Sequence, residues 1–333
     1  MSLVTVRRPR PLLATAVVAV LAALALAACG GPASHRATTE GQHAGGGSDP
    51  QYTVQPGTPV VKSPYEKVMV IAEENEAESS VIGSSQAPYV THLAATYGRA
   101  TNMQANYPVG CPSLAAYIIL TSGSGQGICD DLPPANHQLS VDNIFKQVKD
   151  AGLVWREYAE SMTTNCQKVD GPPGGYLVRH APAPYYSNLG TDCQSWDVPL
   201  GTTTAGNLHN ALGAGLPDFS LVTPNACDDM HGASTCPTLW VKRGDNWLAR
   251  WMPQIIASDD FQQARLAVVI TWDEGSTTSN HIATLIVART VNGVQSAAAY
   301  THCSTLRLAE DVLGLARLGC AATAPSFRIG FDF

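Results

Sequence analysis

The residues best suited to chemistry stand directly after three apolar runs. Residues 67–72 (KVMVIA) lead into Glu73-Glu74-Asn75, and Leu266–Trp272 (LAVVITW) leads into Asp273-Glu274-Gly275. Phe219–Thr223 (FSLVT) leads into Pro224-Asn225 and then Asp228-Asp229-Met230-His231. In open sheets of parallel strands, ligands and chemistry sit just beyond the carboxyl ends of the strands. Acidic and amide oxygens gathered there repel one another unless a cation joins them. Hard oxygen ligands suit a divalent metal. Solvated loop carboxylates explain any one of these pairs better; the same pattern at three strand ends favours the cation.

A hydroxyl stands apart from these acids. Cys111-Pro112-Ser113 opens a helix-compatible apolar run. Read for structure, Ser113 is an N-cap beside a helix-starting proline. Read for chemistry, a hydroxyl there faces free N–H donors and the positive end of a helix dipole, a setting that favours phosphate and stabilises an alkoxide. A metal beside it would lower its pKa further.

The elements that must position these groups are legible as period and composition. The three runs, with residues 282–288 (IATLIVA), are apolar almost throughout, as strands covered on both faces are. Helical patterns lie between them at 89–97, 114–120, 141–151 behind Ser140 as a cap, 247–257 and 305–315. This alternation predicts an α/β fold, a three-layer αβα sandwich with a largely parallel central sheet. Residues 123–127 (GSGQG) lack the lysine of a phosphate-binding loop and read as a plain loop. Trp240, Trp247 and Trp251 share a helical spacing and read as core.

The chain has 333 residues, 45% apolar and 14% charged. It is too apolar for a disordered chain and long enough for one domain of roughly 250–300 residues. The net charge is −7, and Arg7, Arg8 and Arg10 fall in the first ten positions. No global positive field exists to hold nucleic acid. The three arginines precede an apolar stretch at 12–28, a charged and then a hydrophobic leader region. It ends in Leu26-Ala27-Ala28-Cys29-Gly30, which resembles a bacterial lipobox. That resemblance implies diacylation of Cys29 and an exported lipoprotein anchored on the outer face of the cell membrane; a plain cleaved signal or a signal anchor is the alternative. The expected organisation is a lipoprotein signal peptide at 1–28, a flexible tether at 29–62 and a catalytic domain at 63–333. Eight cysteines follow Cys29, an even number suited to an oxidising compartment. Pairing neighbours predicts bridges Cys111–Cys129, Cys166–Cys193, Cys227–Cys236 and Cys303–Cys320.

Taken in order, several segments resemble the bacterial phosphoesterase family of the alkaline phosphatase superfamily, which includes phospholipase C-type and acid phosphatase-type enzymes. They are Glu74-Asn75 after the first strand, CPSLAAYIILTSG (111–123), NIFKQVKDAGLVWREYAESM (143–162), VRHAPAPYYSN (178–188), FSLVTPNACDDMH (219–231), ITWDEG (270–275) and YTHCSTLRLAEDVLGL (300–315). The resemblance implies an alkaline phosphatase-like fold and Ser113 as nucleophile. It implies Glu74, Asn75, Asp273 and Glu274 as ligands of one divalent metal ion, with calcium, magnesium, manganese and zinc all open. His180 and His231 would meet the phosphoryl oxygens or the leaving group, with His302 as a further contributor. The implied reaction is metal-dependent hydrolysis of a phosphate mono- or diester, phospholipids included, through a phosphoserine. Two departures stand out: the family's His before Pro-Ser is Cys111, and its Pro-Asn after Ser-Leu is Ala115-Ala116. Each lost charge-assisted hydrogen bond is worth roughly 1.5–3 kcal/mol, and a bridge from Cys111 to Cys129 offers rigidity in exchange. The departures leave a second expectation, a degenerate envelope lipoprotein that binds a phosphorylated ligand without turnover.

Overall fold

The computed structural model describes residues 65–106 and 110–333, so the expected leader, tether and Cys29 lie outside the described residues. Among the described residues there are ten strands: β1 Lys67–Glu73, β2 Gly98–Ala100, β3 Met103–Gln104, β4 Trp155–Ala159, β5 Asp197–Pro199, β6 Phe219–Thr223, β7 Leu266–Trp272, β8 Thr284–Ala288, β9 Val294–Ser296 and β10 Tyr300–Thr301. Eight form one sheet in the order β5-β4-β6-β1-β7-β8-β2-β9, while β10 pairs with β3. β1 lies at the centre, parallel to β6 and β7. β4 continues the parallel set between β6 and β5.

β8 corrects one expectation: it runs antiparallel to both β7 and β2. Residues 273–283 link β7 to β8 without a helix, and a parallel crossover needs a dozen or more residues.

The pleat divides the core. Met69 and Ile71 of β1 pack on one face with Val90, Leu93, Trp247 and Leu248. Val68, Val70 and Ala72 pack on the other with Leu114, Ile118, Phe145 and Leu306. Each fully buried aliphatic side chain contributes roughly 1.5–3 kcal/mol. Because side chains alternate across a strand, the adjacent glutamates at the end of β1 aim at opposite faces. Glu74 is sent toward the face that carries the helix Leu114–Ser122.

Asn143, not Ser140, caps the helix Ile144–Asp150, its side chain accepting the N–H of Lys146 at 2.9 Å. The helix His302–Leu313 starts with a capping box of Thr301 and Ser304 and stops at Gly314 in the left-handed region. The helix Trp240–Ala257 starts earlier than the expected 247. All four expected disulfides form. Among the described residues no helix is long and apolar enough to cross a membrane.

Candidate active site

Ser113 precedes the helix Leu114–Ser122 with helical backbone angles and makes no side-chain cap bond. Its hydroxyl donates instead to Glu74 Oε2 at 3.0 Å, with Asp273 also close enough to feel it. The capping reading therefore gives way to one in which the hydroxyl faces the acids. One turn along the helix, on the same face, Tyr117 donates its hydroxyl to Glu74 Oε1 at 2.5 Å. The Tyr117 ring stacks on His180, centroids 5.3 Å apart and planes 13° from parallel. His180 is buried, with Nε2 at 3.3 Å from Glu74 Oε2 and Nδ1 at 3.9 Å from Asp229 Oδ2. Asp229 Oδ1 accepts the N–H groups of His231 and Gly232 at 3.0 and 3.2 Å. Asn75 takes a left-handed backbone, φ 45°, which Asn tolerates better than most residues. Its N–H donates to Asp273 Oδ1 at 2.9 Å.

Ser113, Glu74, Asn75, Asp273 and His180 thus converge from four distant stretches of the chain. His231 stands exposed at the rim, Nδ1 3.5 Å from the Asn75 amide nitrogen. Glu274 is half-buried and lines the adjoining cavity. His302 is set apart: it is buried, and its Nε2–H donates to the carbonyl of Trp272 at 3.0 Å.

Burial dominates the electrostatics. It pushes Glu74 well above the ordinary carboxylate range, reinforced by Asp273 and Asp229 and opposed by the hydroxyls of Tyr117 and Ser113. Asp273 is pushed up to about 6 by burial, opposed by the Asn75 N–H and the Ser113 hydroxyl. Asp229 rises to about 7 from burial, opposed by the N–H groups of Gly232 and His231. Burial, then Arg179 and His231, holds His180 well below its usual value, so its ring is neutral. The carboxylates are too closely set to stay ionised together without protons or a cation.

The donor set fits a cation. The amide oxygen of Asn75 lies 3.2 Å from Glu74 Oε2 and 3.0 and 3.2 Å from Asp273 Oδ1 and Oδ2. Those atoms are all acceptors. Turned, the amide places its NH2 there and donates to all three oxygens; in either orientation Asn75, Glu74 and Asp273 lie close enough to share one cation. Oxygens bound at roughly 2.1 Å around an octahedral cation stand about 3.0 Å apart, and the observed spacing agrees. Glu74, Asp273 and Glu274 do not close as a trio: among the described residues the His, Cys, Asp and Glu ligand atoms that gather within 4.8 Å are those of Cys166, Cys193 and Asp197. The two cysteines there are spent in a disulfide.

Sequence reasoning passed over four residues of the site. Tyr117 carried a signal, since it lies four residues after Ser113 on a helix. Asp229 was visible only as one of several acids after β6. Asp131 accepts the Leu114 N–H at 3.1 Å, so the amide expected to meet phosphate is already taken, and its other oxygen lies 3.2 Å from Arg179 Nε. Trp240, expected in the core, is 42% exposed at the cavity. Glu73, by contrast, turns away from Ser113; it is buried, and burial, then Asp229, raises its pKa well above the usual range, so it is a neutral acid.

A model of the phosphoesterase family matches residues 65–315. Over 262 residues the chain is 28% identical to a phosphatidylinositol-3-phosphatase of Mycobacterium tuberculosis (strain ATCC 25618 / H37Rv), covering 78% of this chain and 81% of that protein. Among solved structures, a protein of the alkaline phosphatase superfamily from Vibrio parahaemolyticus superposes with a TM-score of 0.53 at 12% identity, over 80% of this chain and 72% of that one. The lipoteichoic acid synthase of Listeria monocytogenes gives 0.52 at 8% identity, over 79% and 76%. At such identities the two structures speak to the fold alone, and it is the alkaline phosphatase-like fold expected.

Proposed function

The chain belongs to the phosphoesterase family and is a hydrolase of phosphate esters; from that premise we propose that it acts through a phosphoserine on Ser113, with one divalent cation. The observation that carries the reading is the Ser113 hydroxyl 3.0 Å from Glu74 Oε2, beside the buried carboxyls of Asp273 and Asp229. Glu74, Asn75 and Asp273, with Glu274 beside them, would hold the cation. Bound there, it supplies charge stabilisation to the serine alkoxide and the phosphoryl oxygens.

The chain's own groups do the rest. Glu74 orients the Ser113 Oγ, and Tyr117, stacked on His180, orients Glu74. Ser113 attacks phosphorus in line with the departing alcohol, its proton passing to Glu74 and returning when the phosphoserine is cleaved, and charge spreads over the non-bridging oxygens. His180 lies too deep to reach the leaving group and acts as a positioning residue. His231, at the rim, is placed to give the alcohol its proton and to receive one from the water that later cleaves the phosphoserine.

Ser113→Ala is expected to abolish turnover of a nitrophenyl phosphate while the Tm stays nearly unchanged; retained turnover rejects Ser113. Exhaustive chelation is expected to do the same, and full activity with no metal in elemental analysis rejects the cation. We also propose that the chain is exported and anchored through Cys29, leaving the domain on the outer face of the cell membrane. The lipobox-like segment and the four disulfides support this reading. Cys29→Ala is expected to move the protein from the membrane to the soluble fraction, and unchanged membrane association overturns the anchor.

A further inference from the structure

A cavity of about 520 Å³ opens beside the acidic cluster, lined by Asn75, His231 and Glu274 of the candidate site and also by Trp240, Glu76 and Thr278. Trp240 is 42% exposed, whereas Trp247 and Trp251 on the same helix are buried. Its indole lies over Gly232: a Cβ on that glycine would fall 2.2, 2.3 and 2.4 Å from three atoms of the ring. Near-equal distances place the glycine under the ring face. Gly232 has φ 73° and its N–H is held by Asp229, so only glycine suits the position. Asp229, Gly232 and Trp240 therefore fix an aromatic surface relative to the candidate nucleophile. Among the described residues no Lys or Arg lines the cavity. Its walls offer hydroxyls, amides and carboxylates, which recognise hydroxyl groups better than a second anion.

Building on the hydrolytic reading above, we propose that this cavity receives the alcohol half of the substrate and that Trp240 is its specificity-determining residue, stacking on a polyhydroxylated ring. Cyclitols and pyranoses present C–H faces to an aromatic surface while their hydroxyls point to the rim. That division matches a cavity whose lining includes an indole together with Glu76 and Thr278.

The test separates binding from chemistry. In Ser113→Ala protein, calorimetry compares myo-inositol 1-phosphate with glycerol 2-phosphate, two secondary-alcohol monoesters of equal charge. The ring ester is expected to bind about fivefold tighter. Ser113→Ala/Trp240→Ala is expected to lose that preference and Ser113→Ala/Trp240→Phe to keep most of it. Trp240→Leu, which keeps apolar bulk without a flat ring, gives the same readout should the alanine variant fail to fold. Equal binding of the two esters, or a preference that survives loss of the indole, overturns the proposal. If Ser113→Ala still hydrolyses esters, the nucleophile assignment fails, and the platform is then read from the kcat/KM ratio of the two esters with and without Trp240. Phosphatidylinositol 3-phosphate in phosphatidylcholine vesicles, run beside the free ester, tells a lipid headgroup from a soluble one. A selective loss in either arm on Trp240→Ala supports the platform, and a loss in neither overturns it.

Discussion

The bridge between Cys111 and Cys129 stands where the family pattern has a histidine, and its removal separates two ways of holding the nucleophile. It closes a sequence separation of 18 residues. In the chain-entropy account, a loop of that length stabilises the fold by about 3 kcal/mol. For a domain of this size such a loss lowers Tm by roughly 5 °C. Cys129 also stands two residues before Asp131, whose carboxylate accepts the Leu114 N–H at 3.1 Å, so loosening the loop adds a loss of about 1 kcal/mol at the helix start. The nucleophile itself is held elsewhere. All nine residues of Leu114–Ser122 are buried, and Ser113 Oγ is bonded to Glu74. Cys111→Ala/Cys129→Ala is therefore expected to lower Tm by that amount, measured by calorimetry, while kcat/KM below the transition falls by less than roughly tenfold, or 1.4 kcal/mol. A Tm within about 2 °C of wild type would refute the entropic argument. A loss beyond about a hundredfold with the fold intact would show that the loop, and not the buried helix, places the hydroxyl.

Two further outcomes follow from the same geometry. Tyr117→Phe keeps the ring stacked on His180 and removes the donor from Glu74. It is expected to weaken activation by the divalent cation by roughly tenfold to a hundredfold, read as the midpoint of a metal titration; an unmoved midpoint would mean that Glu74 is held without it. Glu310 is buried, and burial, then Asp311, pushes its carboxyl up to about 8 against the Leu318 N–H bonded to it. A carboxyl with a raised folded pKa holds its proton more tightly in the fold than in the unfolded chain. Its stabilising effect is complete below the unfolded value of about 4.3 and is lost as pH rises through about 8. Glu310→Gln is expected to flatten the fall of Tm across that window; a slope identical to wild type would refute the assignment.

The central strands were legible because parallel strands covered on both faces need continuous apolar runs, and β1, β6 and β7 have them. β4 was not, since its five residues WREYA include Arg156 and a buried Glu157. Those two break the apolar run, and the buried carboxyl is accommodated by the Ala183 N–H and the neighbouring Asp197. The reversal of β8 was readable only from the short link before it. Ser140 misled as the cap of the helix Ile144–Asp150, because the Lys146 N–H is bonded by Asn143 instead. Within the site, strand-end acids announced themselves by position. Which of Glu73 and Glu74 faces Ser113 depends on the pleat, and the depth of His180 against the exposure of His231 depends on packing of loops with no periodic signal. Trp240 misled for a related reason: its spacing matches Trp247, but it starts the helix at the mouth of the cavity, beyond the core it would otherwise have joined.

The most direct measurement is to quench the wild-type enzyme in acid during turnover of a phosphate ester and to map phosphorylated peptides by mass spectrometry. The account predicts phosphate on Ser113, appearing in a burst and absent from Ser113→Ala. Phosphate on another side chain, or steady turnover with Ser113 never modified, would contradict it.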